Sequence, residues 1–119
     1  MAEKSRDLEE RTAVFAEEVR KFVGVLPRTV GNIEDVKQLV RSSGSVAANC
    51  IEANEALGEK DRVMRFRVAR KEAKESQLWL RLPNAGTSDE AEEVRQRLRQ
   101  EALELKLKLI LTAIIKKLE

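Results

Sequence analysis

Apolar residues recur along the first quarter of the chain at helical intervals. Leu8, Thr12, Phe15, Val19, Phe22 and Leu26 follow one another at steps of four, three, four, three and four, the spacing that stacks side chains on one face of an α-helix. This predicts a helix over residues 7–25. Gly24 and Pro27 end it, since a proline cannot continue the ladder. A connection over 28–32 leads to a second helix over 33–57, with the stripe Val36, Leu39, Val40, Ser43, Val46, Cys50, Ala53 and Leu57. Its middle, SSGSVAAN, is made of small residues. Gly44 inside a helix costs ~1 kcal/mol relative to Ala, so close backbone packing is the expected compensation. Gly58 reads as the stop of this helix.

Asp61 is the expected N-cap of a third helix over 61–82, with Phe66, Ala69, Ala73, Ser76 and Leu80 facing the core. PNAGTSDE breaks the pattern, and Thr87 with Glu90 reads as a capping box opening a last helix over 88–118. That helix carries two stripes. One is Ala91, Val94, Leu98, Ala102, Leu105 and Leu109; the other is Leu103, Leu107, Ile110, Ile114 and Leu118. At about 100° per residue they lie on nearly opposite sides. A helix apolar on two sides needs two covers. One is the bundle core, and a neighbouring subunit is the simplest second, which makes Leu103, Leu107, Ile110 and Ile114 the candidate oligomer interface. The run LELKLKL also alternates like a strand, but its flanks keep helical periodicity and no partner strand is visible. The expected fold is all-α: one domain spanning 1–119, an up-down-up-down four-helix bundle assembling into a ring-shaped homo-oligomer.

Composition agrees. Ala, Leu, Glu, Lys, Arg and Val dominate, Tyr is absent, and 119 residues hold only 2 Pro and 5 Gly. This length suits one domain, which buries roughly two-thirds of its unfolded surface and needs no staple. The single cysteine, Cys50, excludes an internal disulfide and any cysteine-based metal cluster. The charged start MAEKSRDLEERT is unlike a signal peptide, and no apolar run is long enough for a membrane span. The cytoplasm is the expected compartment.

Catalytic constellations fail on inventory. With no histidine there is no Ser-His-Asp or Cys-His arrangement and no Glu-x-x-His di-iron motif. No glycine-rich phosphate loop is present. Glu72 and Glu75, three apart, could in principle share a metal; salt bridges to nearby Lys and Arg are the expected reading. Cys50 sits on the core stripe as a buried thiol, and Trp79, on a flank with Val68, reads as packing between helices or subunits. No cofactor, metal or catalytic residue is assigned, and the chain is not expected to be an enzyme.

Charge placement says more than charge total, because the net is only +2 with 37% charged residues. From Glu59 to Arg81 there are eight basic and four acidic residues, a local net of +4. Arg67, Arg70, Lys71, Lys74 and Arg81 fall on one side of the third helix, opposite its core stripe. A row of cations on a rigid helix can follow phosphates, and copies in a ring multiply the field. An ordinary solvated face is the competing reading. On the second helix Arg41, Ser42, Ser45, Asn49 and Glu52 share a face opposite the stripe. Short hydrogen-bonding residues there suit an interhelical or intersubunit network, with Arg41, Ser45, Asn49 and Glu52 as its candidate members.

The order of Asp7-Leu8, the Leu26-Pro27 turn, RSSGSVAANCIEANEA, RKEAKESQLWLRL and a long helix ending LTAIIKKLE resembles one bacterial family. These are the four-helix-bundle proteins encoded in intervening sequences of 23S ribosomal RNA genes, relatives of the accessory variability determinant of diversity-generating retroelements. The resemblance spans residues 7–118. Its most specific parts are Ser45-Val46-Ala47-Ala48-Asn49 with Glu52, and Lys71-Glu72-Ala73 through Glu75 to Trp79-Leu80. It implies a barrel-like homopentamer without enzymatic activity whose members are proposed to bind nucleic acid. The retroelement relative is strongly basic; this chain is nearly balanced. Together these readings point to a non-catalytic accessory protein binding structured RNA or DNA, the alternative being a protein-interaction scaffold that never touches nucleic acid.

Overall fold

The computed structural model describes the backbone of residues 2–118 and the side chains of residues 7–114. It contains four α-helices and, among the described residues, no strand: α1 (Ala2–Gly24), α2 (Val30–Asn54), α3 (Glu59–Arg81) and α4 (Asp89–Leu118). LELKLKL lies wholly within α4. Each helix packs against its neighbours in the cycle α1, α2, α3, α4, back to α1, and among the described residues the diagonal pairs do not approach backbone to backbone. The molecule is a rod of 49 × 21 × 17 Å.

The stripes of α1, α3 and α4 meet along the axis. Phe15, Val19, Phe22, Phe66, Ala69, Ala73, Leu80, Leu98, Ala102, Leu105 and Leu109 form one continuous buried core with Leu39, Val46 and Cys50 of α2. Thr12 is buried in this stripe because its hydroxyl donates back to the Leu8 carbonyl at 2.7 Å, which satisfies its donor within α1. The second stripe of α4 faces outward: Leu107 is 52% and Ile114 47% exposed, and Leu103 and Ile110 are half-buried. The side chain of Leu118 lies outside the described residues.

Helix ends differ from the sequence expectation, and each shift has a local cause. α2 starts earlier than position 33 because Thr29 is its N-cap, accepting the Asn32 N–H at 3.1 Å. It ends at Asn54, one residue past its last buried position, Ala53. Leu57 therefore leaves the expected core stripe and is fully exposed, at 104%. Gly58 stops nothing; in extended conformation it is the N-cap of α3. Asp61 sits inside the first turn of that helix, where a carboxylate favours the positive end of the helix dipole. Ser88, and not Thr87, caps α4, its hydroxyl accepting the Ala91 N–H at 3.1 Å. The reciprocal contact expected from Glu90 has no place, because Ala91 occupies the third helical position.

Two readings of α2 meet different outcomes. Ser42 is fully buried against α3 and makes the kind of interhelical contact expected of its face: its hydroxyl lies 2.8 Å from that of Ser76, which in turn donates to the Glu72 carbonyl at 2.9 Å. Small hydroxyl residues on both helices supply close approach and a satisfied polar contact together. Gly44 is not where the backbones close in. A Cβ there would meet only the tip of the Arg20 side chain, at 3.4 Å.

Candidate nucleic-acid interface

The core positions of α3 fix where its cations go. With Phe66, Ala69, Ala73, Ser76 and Leu80 all buried, residues 67, 71, 74 and 81 are rotated away from the axis, and Arg67, Lys71, Lys74 and Arg81 are all exposed. Arg70 is half-buried, its Nε shielded from solvent without a hydrogen-bond partner. Of the five predicted cations, four thus form an open row and the fifth is partly withdrawn.

The carboxylates of the same helix point elsewhere. Glu72 and Glu75 are held by Arg41 of α2 at 2.9 and 3.4 Å, which is the salt-bridge arrangement expected for them. Arg62 is chelated by Glu59 at 2.7 and 2.9 Å, and Arg65 lies 3.7 Å from Asp61. Among the described residues no ion pair engages Arg67, Arg70, Lys71, Lys74 or Arg81. Within α3 the charges are therefore unevenly matched: its four carboxylates meet Arg41, Arg62 and Arg65, and the outer row keeps its charge. A rigid row of this kind attracts polyanions through field rather than shape.

The polar face of α2 divides. Arg41 crosses to α3 through the two glutamates, whereas Asn49 donates to the Ser45 carbonyl at 2.9 Å and hydroxyl at 3.0 Å, within its own helix. Glu52 is exposed. Trp79 is half-buried against the core. Cys50 is fully buried, and burial, helped by nearby Glu9, pushes its thiol up to about 11. A thiol so disposed is protonated and unreactive at neutral pH. Between α1 and α4, Arg11 grips Glu101 twice at 2.7 Å and Glu104 at 3.0 Å. These bonds, Glu101 first, raise the Arg11 pKa, and Glu104 is lowered by Gln100 and then Arg11.

Two buried arginines escaped the sequence reading. Arg95 donates Nη1 to the Leu80 and Arg81 carbonyls at 3.0 and 2.8 Å and Nη2 to Pro83, closing the end of α3. Arg62 lies 5.3 Å over the Phe66 ring and donates to the Ala113 carbonyl at 2.9 Å. The signal was spacing. Arg95 falls four after Ala91 and three before Leu98, and Arg62 four before Phe66, so both occupy core-facing slots. Charge alone made them look like surface residues.

These features define an all-α, four-helix protein with a cationic outer face on one helix and an apolar outer face on another. The family model of the 23S rRNA-intervening sequence protein matches residues 5–111, and the chain belongs to that family. No curated protein matches the chain significantly. It is similar to the crystal structure of a protein of unknown function from the S23 ribosomal protein family of Bacteroides thetaiotaomicron. That similarity has 25% identity and a TM-score of 0.75, covering 92% of this chain and 97% of the other. Among the described residues no helix is long and apolar enough to cross a membrane.

Proposed function

We propose that the protein is a non-catalytic accessory protein that binds structured RNA or DNA as a homo-oligomer, with Arg67, Lys71, Lys74 and Arg81 contacting phosphates and Arg70 supporting them. The single observation that carries this is the unpaired state of that row in a chain whose other buried and interhelical arginines are matched to carboxylates or carbonyls. The up-down-up-down topology fits the cross-helix contacts: Arg11 reaches Glu101 while Glu18 lies near Arg97, and Arg62 reaches Ala113 while Arg95 reaches Leu80. The exposed stripe around Leu107 and Ile114 favours a ring, a pentamer by the family resemblance, working in the cytoplasm without cofactor or metal.

Fluorescence anisotropy with a short structured RNA at low salt tests the reading. Replacing Arg67, Lys71 and Lys74 together by Glu should abolish binding while leaving helicity and oligomer size unchanged. The wild-type affinity should fall steeply with salt, by a log–log slope of about −0.9 per phosphate neutralised on duplex and −0.7 on single strands. An affinity indifferent to salt, or unaffected by the triple substitution, would sink the mechanism. Binding to no nucleic acid by an intact oligomer would favour the protein-interaction scaffold.

A further inference from the structure

Where α3 turns into α4, three guanidinium groups line one open, polar cleft of about 330 Å³. Its walls are Arg81 at the end of α3, Asn84 and Gly86 in the turn, and Glu92, Arg95 and Arg99 on α4. We propose that this cleft is a discrete phosphate-binding site, taking either a backbone phosphate of a nucleic acid or a free phosphate or phosphomonoester. The inference deepens the nucleic-acid reading above and rests on it for the choice of ligand.

The charge in the cleft is fixed from behind. Arg95 is only 6% exposed, and its two Nη atoms are committed to the carbonyls of Leu80, Arg81 and Pro83. It cannot swing out, so its charge is a permanent part of the back wall. Its one nearby carboxylate, Glu92 at 3.2 Å from Nε, is itself half exposed.

Arg81 and Arg99 differ from Arg95 in having no side-chain hydrogen bond or ion pair among the described residues. They come from different helices yet line the same cleft, and Arg99 stands one helical turn beyond Arg95. Two unpaired guanidinium side chains and the fixed Arg95, beside the one carboxylate of Glu92, give the cleft lining a net charge of +2. All three cations are arginine, the side chain whose planar fork suits bidentate contact with tetrahedral oxyanions. The turn between them is braced by local contacts. Gly86 takes φ 72°, its N–H is bound by Asn84 Oδ1 at 2.8 Å, and a Cβ at Gly86 would press on Pro27 at 3.3 Å.

Amide NMR of the intact protein tests this with two probes: inorganic phosphate, and a single-stranded RNA oligonucleotide lacking terminal phosphates. Phosphate should shift the amides of Gly86 and Gln96 saturably in the wild type. The shifts should vanish in a double variant, Arg81→Ala with Arg99→Ala, whose exposed or half-buried positions leave the thermal transition unchanged. The same variant should weaken RNA binding roughly five- to tenfold and reduce its salt slope by about 1.

Phosphate shifts that fail to saturate, or that persist in the double variant, overturn the cleft. RNA affinity undiminished in the double variant, yet lost in the Arg67, Lys71, Lys74 triple variant, restricts any backbone phosphate to the α3 row and overturns the nucleic-acid role of the cleft while the function stands. Saturable phosphate binding without RNA binding keeps the cleft, assigns it to free phosphate or a phosphomonoester, and removes the nucleic-acid function instead.

Discussion

Asn32 and Asn84 hold each other by side chain and backbone at once. The Asn84 N–H donates to Asn32 Oδ1 at 2.8 Å, and Asn32 Nδ2 donates to the Asn84 carbonyl at 2.7 Å and to Pro27 at 2.8 Å. One buried amide thus ties the α1–α2 turn to the α3–α4 turn. Asn32→Ala should cost about 1–3 kcal/mol, the penalty of leaving buried backbone groups without partners. Asn32→Asp keeps the acceptor but sets a carboxylate against two carbonyls. Burial and repulsion raise its pKa, so its destabilisation should grow as pH rises from 4 to 7. Thermal melts of both variants at the two pH values check this; an Asp variant equally stable at each would contradict it.

Gly44 offers the opposite outcome. It lies in mid-helix with only the movable Arg20 tip near its absent Cβ. Gly44→Ala should therefore stabilise the protein by roughly 0.5–1 kcal/mol through helix propensity and a less flexible unfolded chain. A lower denaturation midpoint would mean that this surface closes on something in the assembled protein.

Cys50 should behave as a pH-limited structural thiol. Its folded pKa of about 11 stands above its ordinary value of 9.0, so the neutral form is favoured in the fold. Its stabilising contribution is full below pH 9 and is lost as pH rises through 11. At pH 8 a disulfide reagent should react slowly with native protein and at once after denaturation. Rapid native labelling would refute the burial argument.

The apolar stripe of α4 predicts assembly. Replacing Leu107 and Ile114 by Glu removes exposed side chains without touching the core, so helicity should persist while light scattering reports a smaller species. Unchanged mass would direct attention to other exposed apolar residues, such as Val14 or Met64, and away from this stripe.

Most of the fold was legible because the signal is periodic. The stripes of α1, α3 and the inner face of α4 recur at steps of three and four, and nearly all their members are buried. Helix ends were less legible. Thr29, Gly58 and Ser88 set them through single hydrogen bonds or one backbone conformation, and several nearby residues could have served each purpose. The cationic row was visible as a pattern and salt bridges were expected for Glu72 and Glu75, but not which arginine holds them, since Arg41 meets Glu72 across 31 positions of chain.

By itself the sequence determined four amphipathic helices, their core faces, the second apolar face of α4 and the placement of cations on α3. All of these follow from local spacing, because a side chain's direction on a helix depends only on its position along it. Tertiary structure decided which charges are cancelled and which remain: that Glu72 and Glu75 turn to Arg41, that Arg95 closes the end of α3, and that Arg81 and Arg99 face one cleft. Those outcomes depend on the rotation and axial register of one helix against another. Packing of the whole core sets both, and no short stretch of sequence encodes either.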